Sequence, residues 1–375
     1  MADGKLNILW FTWKDGMNPS SGGAEIVNEA LARRLTEAGH CVRFVVPRVK
    51  GASDNDEGRG FEMVRVGNRL SVYAAARRYY KRHGDRWADV VVDECNTIPF
   101  LCKYYARKKT VLLLHQLGRE IWLYEKPFSL GLLGYTLEYL YLRLLRDQTT
   151  FTFAESTKKD LQRYGFHGDR VVVLKEPLTM PVIETAEPAE KFEYPSILYL
   201  SAIRKMKRPH HVVEAFEIAK QRIPELRLNI AGGGRGRYFN RLMRRISNSP
   251  YRDDIHYWGW VTPEQKMMLL QRSHFICCAS VREGWGLVVT EAAARGTPAI
   301  VYNVLGLIDA VDNGAAGTVT TRNDPQGLAD KIIEGFGPNT DYQALRQRAI
   351  AFAGTCSIDA AVASFLESID QLTTV

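Results

Sequence analysis

Several features are scarce or missing in this chain of 375 residues, and each absence excludes a class of protein. The six cysteines are too few for a disulfide scaffold, and none form the Cys-x-x-Cys pair of a zinc ribbon. No run approaches the roughly 18 apolar residues of a membrane-spanning helix. Residues 1–13 carry Asp3 and Lys5 and only a short apolar run, unlike a signal peptide. These absences predict a cytoplasmic protein with reduced, buried thiols.

The composition that is present is that of a globular protein, with 46% hydrophobic and 25% charged residues. At roughly 150 residues per domain, the length predicts two domains. Residues 1–175 hold 28 Lys and Arg against 20 Asp and Glu, whereas residues 176–375 hold 22 of each. The basic first half either meets an anionic partner, such as a membrane surface or a phosphorylated substrate, or only favours solubility. Nothing resembles a nucleic-acid-binding module, so we expect no nucleic-acid partner.

Short apolar runs rich in β-branched residues alternate with amphipathic stretches along the chain. The first half has a predicted helix over 24–38 and predicted strands over 6–13, 42–46, 90–93, 111–115, 150–154 and 171–174. In the second half, predicted helices near 210–222, 263–272, 288–295 and 325–335 separate strands over 197–201, 227–231, 256–258, 275–279 and 299–302. Nearly continuous apolar strands in this rhythm predict an α/β protein with parallel sheets covered on both faces.

Residues 176–195 have linker composition, because four prolines stand there among acidic and small residues. We therefore expect an N-terminal domain over residues 1–178 and a C-terminal domain over residues 195–355. A last helix, about 358–372, has apolar residues at helical spacing, so one of its faces must be covered. We expect residues 356–375 to pack back on the N-terminal domain.

The strongest chemical pattern is Glu283-Gly-Trp-Gly-Leu-Val-Val-Thr-Glu291, in which two carboxylates flank a Gly-x-Gly turn. The pattern follows a predicted strand and opens a predicted helix, where free backbone N–H groups can hold a phosphate. Glu283 can accept hydrogen bonds from sugar hydroxyls, and Glu291 can bind the ribose diol of a nucleotide. A solvated glutamate beside a capped helix would give the same pattern.

Residues 280–291, with Gly296-Thr-Pro-Ala-Ile300 and the later stretch over 306–317, resemble the E-x7-E signature of retaining glycosyltransferase family 4. The resemblance spans nearly the whole chain. It implies the GT-B architecture, two Rossmann-like domains facing a central cleft, and transfer of a hexose-type sugar from a nucleotide-sugar donor held by the C-terminal domain. In the family the first glutamate of the motif contacts the donor sugar and the second contacts the ribose hydroxyls.

By that resemblance, Glu283 takes the catalytic, sugar-binding role and Glu291 the ribose-binding role. The backbone between them is expected to lie along the sugar and diphosphate, through Gly284, Trp285, Gly286, Leu287 and Val288. Retention implies a reaction on the donor's front face, with the leaving phosphate as the base.

The sequence Ser201-Ala-Ile-Arg-Lys-Met-Lys-Arg-Pro209 resembles the family's G-R-L-x-x-x-K-G turn, where Arg and Lys neutralise the donor diphosphate. Lys207 matches the family's lysine. Ala202 stands where the family has arginine, and Arg204 is the candidate replacement. A cation is required here because charge builds on the leaving diphosphate. No Asp-x-Asp metal-binding pattern stands near this turn, so we expect a metal-independent reaction without a cofactor.

In the first half, Ser21-Gly22-Gly23-Ala24-Glu25 resembles the family's G-G-x-E turn near the diphosphate and the acceptor. The resemblance implies a donor-side role for Gly23 and acceptor-side roles for Gly22 and Glu25, although a tight helix-start turn would have the same residues. The preceding residues 14–20 are predicted to form a flexible acceptor loop.

His115 ends a predicted strand at the edge where α/β sheets bind ligands. Family members have a histidine here near the sugar and acceptor, which implies a catalytic role; a structural histidine is the alternative. The resemblance also places Gly233 beside the nucleotide and Val261 in a loop that contacts the base through main-chain groups. Such contacts leave the base unspecified.

Residues 121–146 are rich in leucine and aromatic residues, and residues 69–86 interleave Arg and Lys with Tyr. Leucine-rich, aromatic and basic surface together is typical of a peripheral membrane segment. The alternative is a core helix beside a solvated basic helix. We favour a lipid-linked or polysaccharide-precursor acceptor at the inner face of an anionic membrane. Two other hypotheses are a tailoring enzyme for a small soluble molecule and a non-catalytic nucleotide-sugar-binding protein.

Overall fold

The computed structural model describes residues 4–18, 21–56, 58–184 and 190–373. These residues form two compact units. The first unit comprises the described residues up to Arg119, then Leu132–Thr179, and those from Cys356 onward. The second unit comprises Glu120–Gly131 and the described residues from Met180 to Thr355. All six cysteines lie within the described residues as free thiols, and five of them are buried.

The first unit is built on a sheet that has eight strands in the described part of the chain. Their order is β3-β4-β2-β1-β5-β6-β7-β8, with β3 antiparallel to β4 and the other neighbours parallel. The strands are β1 Asn7–Phe11, β2 Cys41–Val46, β3 Asn55–Asp56, β4 Glu62–Arg65, β5 Val90–Glu94, β6 Lys109–Leu113, β7 Thr150–Thr152 and β8 Val171–Val173. The strand order reverses at β1, which lies between β2 and β5, so ligands are expected beyond the carboxyl ends of β1 and β5.

The helices of the first half are α1 Gly23–Glu37, α2 Val72–Tyr79, α3 Asp85–Trp87, α4 Glu120–Glu125, α5 Phe128–Leu145 and α6 Glu155–Arg163. Helix α1 buries Val27, Leu31 and Leu35, one residue per turn, as an amphipathic helix on a sheet should. The last helix of the chain, Ile358–Thr373, packs on this unit, because the Phe365 ring stacks on Trp10 at 6.0 Å between centroids.

The second unit has a parallel sheet, six-stranded in the residues described, with the order β11-β10-β9-β12-β13-β14. The strands are β9 Ser196–Leu200, β10 Arg227–Ala231, β11 Ile255–Gly259, β12 Phe275–Cys278, β13 Ala299–Val301 and β14 Gly317–Val319. Ile197 and Leu198 belong to different apolar clusters, so the two faces of β9 are both covered. The order reverses between β9 and β12, which places a ligand site beyond their carboxyl ends.

The helices of the second unit follow each strand, as the alternating pattern predicts. They are α7 Pro209–Lys220, α8 Gly236–Ser247, α9 Pro263–Arg272, α10 Leu287–Ala294, α11 Leu307–Ala310, α12 Pro325–Gly335 and α13 Tyr342–Thr355. The last helix of the chain, which belongs to the first unit, is α14. Two Rossmann-like units with helices on both faces of parallel sheets confirm the predicted α/β fold class.

The division into units differs from the expected domain limits in two places. Residues 120–131, expected in the N-terminal domain, cluster with the second unit because α4 contacts its turn at residues 204–208. The second unit also begins at Met180 rather than at residue 195. Lys191 explains part of this difference, since its Nζ lies within hydrogen-bond distance of four oxygens of the second unit, those of Gln271, Ser273, Gly296 and Thr297. Residues 185–189 of the predicted linker lie outside the described residues.

Candidate active site

The Glu283–Glu291 motif forms the connection from β12 to α10 and the first turns of that helix. Gly286 precedes α10 with a φ of 110°, a left-handed conformation that glycine adopts without strain. A Cβ on Gly306 would come within 2.3 Å of the Glu283 carbonyl oxygen, so the two backbones pack directly together. The motif is therefore held in one conformation by backbone contacts at the edge of the sheet where a ligand is expected.

Glu283 and Lys207 form an ion pair through Oε1 and Nζ. The Ser280 hydroxyl donates to the same carboxylate oxygen at 2.6 Å. Both charged side chains are partly exposed, Lys207 by 21% and Glu283 by 14%. Because Lys207 follows β9 and Glu283 follows β12, the fold brings the two predicted residues together at the switch point of the second sheet.

Glu291 has a lysine partner of its own, which the sequence analysis missed. Lys266 on α9 places Nζ 2.5 Å from Glu291 Oε1, and both side chains retain partial exposure. Nearby, the Trp285 indole donates to the Thr290 hydroxyl at 2.7 Å, which fixes the ring against α10. Each acid of the motif is thus neutralised by a separate lysine.

The turn at residues 204–208 carries cations that contact α4. Arg204 Nη2 lies 3.2 Å from Glu125 Oε2, and the Met206 N–H donates to the other oxygen of that carboxylate at 3.2 Å. Arg208 donates to the Tyr124 hydroxyl at 2.8 Å. Arg204, the proposed replacement for the family's arginine, is therefore held by a carboxylate and is half exposed.

The remaining predicted donor residues belong to neighbouring turns of the second unit. The Gly233 carbonyl accepts from the Ile203 N–H at 2.8 Å, which ties the turn after β10 to the turn after β9. Val261 is partly buried and packs against the apolar cluster that contains Leu198, whereas the neighbouring Trp260 side chain is 83% exposed. An exposed indole beside these turns offers a stacking surface that the sequence analysis did not single out.

In the first unit, Glu25 is buried and has three partners. Its carboxylate accepts from the Gly22 N–H at 2.6 Å and from Asn96 at 3.0 Å, and it pairs with Lys14 at 3.1 Å. Gly23 is the first residue of α1, so Gly22 and Glu25 together cap that helix. The contacts account for the Gly22–Glu25 turn structurally, and its acceptor-side role stays a prediction.

The loop predicted to be flexible over residues 14–20 is anchored in its described part. Asp15 pairs with Arg65 at 2.5 Å, and both side chains are fully buried. The Gly16 N–H also donates to Glu29 at 2.6 Å. The flexibility prediction is wrong for residues 14–18, because a buried ion pair fixes them; residues 19 and 20 lie outside the described residues.

His115 lies just beyond β6, partly buried, with its ring stacked on Phe153 at 5.0 Å between centroids. Its Nε2 lies 3.0 Å from the Asn28 side-chain oxygen. Burial, and secondarily the charge of Lys14, lowers the pKa of His115 to about 4. The imidazole is therefore neutral at physiological pH, and its low pKa makes it a weak base, which suits hydrogen bonding better than proton abstraction.

Glu94, the last residue of β5, is a buried acid that the sequence analysis missed. Neither carboxylate oxygen of Glu94 has a hydrogen bond of good geometry to a described residue. The Thr12 and Trp10 side chains nevertheless lie close enough to the carboxyl group to lower its pKa slightly. Burial, followed by the charge of Glu25, raises the pKa of Glu94 to about 8. Glu94 therefore carries a proton at neutral pH.

The residues described here contain no group of three or more His, Cys, Asp or Glu side chains arranged to hold a metal ion. One Asp-x-Asp sequence occurs in the first unit, at Asp54 and Asp56. Asp54 pairs with Arg48 at 2.9 Å and Asp56 with Arg59 at 3.4 Å, so both carboxylates face arginines.

Helix α5 has a buried side and an exposed apolar side. Glu138, Leu142 and Leu145 are buried, whereas a set of apolar residues is 45% to 56% exposed: Leu132, Leu133, Leu137, Tyr139, Leu140 and Leu144. The Tyr104 hydroxyl donates to the Leu144 carbonyl, and Arg77 on α2 lies over the ring of Tyr105. Tyr104 and Tyr105, neighbours in sequence, thus contact α5 and α2 respectively. Among the described helices, none combines the length and apolarity needed to cross a bilayer.

Two family models match the chain. The model described as Glycosyltransferase Family 4 matches residues 21–177, and the model described as Glycosyl transferases group 1 matches residues 182–351. These ranges contain every predicted site residue.

Individual proteins agree with these matches. N-acetyl-alpha-D-glucosaminyl L-malate synthase of Bacillus anthracis is 26% identical over 347 residues, 84% of this chain and 85% of that protein. Other curated relatives match over smaller shares, for instance 26% and 52% of their own length. Sucrose-phosphate synthase of Thermosynechococcus elongatus superposes with a TM-score of 0.78 at 17% identity, covering 99% of this chain and 100% of that one. Anabaena HepE, solved with UDP and glucose, gives 0.73 at 15% identity, covering 98% and 100%. At these identities the two structures show a shared fold.

Proposed function

Because the chain belongs to glycosyltransferase family 4, we propose that it is a retaining, metal-independent enzyme that moves a hexose-type sugar from a nucleotide sugar to a lipid-linked or polysaccharide-precursor acceptor. The transferase class follows from the family; the mechanism and the substrates are the proposal. The observation that carries it is the Lys207–Glu283 pair, a cation and a hydroxyl-binding carboxylate side by side at the switch point of the second sheet.

All the predicted donor-binding residues except Gly23 belong to the second unit. Lys207 and Arg204 would neutralise the diphosphate, aided by backbone N–H groups at the start of α10, along Gly284–Val288. Glu283 would accept hydrogen bonds from the sugar and Glu291 from the ribose. Gly233 and Val261 would line the nucleotide. Since each acid is already paired with a lysine, the protein stays charge-balanced before the donor arrives.

The chemical step follows from where charge develops. The bond between the anomeric carbon and the phosphate oxygen breaks, and the leaving diphosphate gains negative charge, which Lys207 stabilises. The acceptor hydroxyl then bonds to the same face of the anomeric carbon and gives its proton to the leaving phosphate oxygen. With a pKa of about 4, His115 is a neutral hydrogen-bonding group in this scheme, and its role is to orient sugar or acceptor.

The acceptor would be recognised by the first unit, with Gly22 and Glu25 shaping the backbone near it. The exposed leucines of α5 and the arginines of α2 favour a lipid-linked acceptor, since apolar side chains enter a bilayer while arginines attract anionic headgroups. The enzyme would then work at the inner face of the membrane, bound peripherally.

A second candidate is transfer to a small soluble acceptor. One observation favours it: the relative that aligns with 84% of this chain is named as an N-acetyl-alpha-D-glucosaminyl L-malate synthase. A protein that binds nucleotide sugars without transferring them is the third hypothesis, and the assay below separates all three.

The test is incubation of the full chain with UDP-, GDP- and ADP-hexoses, offered with either polyprenyl-phosphate-linked glycans or malate, in buffer containing a metal chelator. We expect α-linked product on the lipid-linked acceptor, detected by mass spectrometry and by the anomeric coupling in NMR. Product with inverted configuration, or turnover only after metal is restored, would overturn the proposed mechanism. Product on malate alone would establish the second candidate, and binding without turnover the third.

Membrane contact has its own test. Sedimentation with vesicles of phosphatidylglycerol and phosphatidylcholine is expected to pull down the protein at low salt, and vesicles of phosphatidylcholine alone much less. Replacing Leu133, Leu137 and Leu140 by Ser should abolish sedimentation. The matched control is Val182→Ser, an exposed apolar residue of the second unit. Equal sedimentation of the triple variant and the control would contradict the membrane role of α5.

A further inference from the structure

Helix α4 brings acidic and aromatic groups to the turn that would take the donor diphosphate. One oxygen of Glu125 lies 3.2 Å from Arg204 Nη2, and the other accepts from the Met206 N–H at 3.2 Å. Tyr124, next to it, accepts a hydrogen bond from Arg208 and has the Lys205 ammonium 5.4 Å from its ring. Tyr124 and Glu125 of α4 thus both contact the cationic turn at residues 204–208.

The partners of Glu125 are those that a phosphate would use. A guanidinium together with a backbone N–H is a common phosphate-binding pair, because both groups donate toward a shared anion. Glu125 supplies a negatively charged, two-oxygen acceptor to that pair from within the chain. Its carboxylate is 21% exposed and the Arg204 side chain is 50% exposed. The two side chains can therefore separate without exposing buried apolar residues to water.

We propose that the Glu125 carboxylate competes with the nucleotide diphosphate for Arg204. The inference rests on the proposed function, and it adds a residue outside the family motifs that sets the donor affinity. A diphosphate and the Glu125 carboxylate repel each other at one guanidinium, so the donor binds only as Glu125 leaves. Donor affinity is then lower than the cations alone would give.

The experiment is calorimetric binding of UDP, GDP and ADP to the full chain and its variants. Glu125→Gln removes the charge but keeps an oxygen for the Met206 N–H. We expect it to tighten binding of the preferred diphosphate about two- to fivefold, the range of a partly exposed ion pair. Glu120→Gln is the matched control, because it removes the same charge from the same helix at a residue that pairs with Arg282. It should leave the affinity unchanged.

A second pair of variants makes the competition explicit. In an Arg204→Met background, which itself weakens binding, Glu125→Gln should have no further effect, since no guanidinium is left to compete for. Unchanged or weaker binding by Glu125→Gln, or a gain that survives in the Arg204→Met background, would overturn the inference alone. Failure of all three diphosphates to bind any variant would overturn the proposed function as well.

Discussion

The two units hold paired carboxylates near the switch points of their sheets in opposite settings. In the second unit, Glu283 and Glu291 are partly exposed and each has its own lysine. In the first unit, Glu25 and Glu94 are both buried, and Glu25 forms an ion pair with Lys14. Partly exposed ion pairs contribute little to the stability of the fold and exchange partners readily. Breaking a buried ion pair is strongly destabilising, because it leaves a buried charge unpaired. The contrast indicates that the second unit is arranged to bind a charged ligand and the first to hold its backbone in place.

The largest expected effect is the loss of stability when a buried ion pair of the first unit is broken. Asp15→Ala leaves Arg65 as an uncompensated buried charge, so we expect the first unit to lose about 3–5 kcal/mol of stability. Urea unfolding followed by fluorescence measures the loss. Asp54→Ala is the control, since its pair with Arg48 is exposed to solvent and should contribute far less to stability. Similar losses in both variants would contradict the distinction between buried and exposed pairs.

The next largest effect is the loss of activity when the partly exposed Lys207–Glu283 pair of the second unit is broken. Lys207→Ala and Glu283→Gln should each lower kcat/KM about 100- to 1,000-fold, because each removes a group aimed at the reacting donor. Their melting temperatures should change little. Lys331→Ala and Glu334→Gln form the control pair, because those residues make a surface ion pair on α12 of the same unit. Turnover that survives both site substitutions would show that the donor binds elsewhere.

A pH series sharpens the comparison at Glu94. Its pKa is about 8 in the folded protein and 4.5 when exposed, so the protonated acid stabilises the fold fully below about pH 4.5. That contribution is lost as the pH rises to about 8, where the carboxylate is buried and charged. The melting temperature of Glu94→Gln should therefore exceed that of the wild type by a margin that grows from pH 5 to pH 8 and then levels off. The exposed Glu334→Gln should show no such trend. A constant margin would mean that Glu94 is ionised throughout.

The smallest expected effect concerns Lys266, which orients Glu291 toward the ribose in our scheme. Lys266→Met should raise KM for the donor about fivefold with kcat nearly unchanged, as expected of a partly exposed pair. Discrimination against the 2′-deoxy donor should fall with it, and Lys266→Arg should restore both. A purely structural lysine would leave the deoxy discrimination as it is in the wild type.

The sequence predicted the parts of the molecule that depend on local pattern. The strand Arg227–Ala231 and the helices Pro263–Arg272 and Pro325–Gly335 match their predicted limits, because apolar periodicity and proline at the helix start mark them clearly. Strands β3, β4 and β14 were missed, since they are short and lie toward sheet edges, where apolar alternation is weak.

For the candidate site, the motif residues could be predicted, but most of their partners could not. Lys207 and Glu283 carried recognisable patterns, whereas Lys266, Glu125 and Arg65 are ordinary surface-type residues in sequence. Only the fold brings Arg65 to Asp15 and Glu125 to Arg204. Glu94 had a local signal, an acid at the end of an apolar strand, and the predicted strand stopped one residue before it.

The most direct test compares how tightly the preferred nucleotide sugar and its bare nucleoside diphosphate bind to the wild type, Glu283→Gln and Lys207→Met. If Glu283 grips the sugar and Lys207 the diphosphate, the first variant should lose the extra affinity for the sugar nucleotide and still bind the diphosphate. The second should lose affinity for both ligands. Undiminished preference for the sugar nucleotide in Glu283→Gln, with normal diphosphate binding in Lys207→Met, would contradict the assignment.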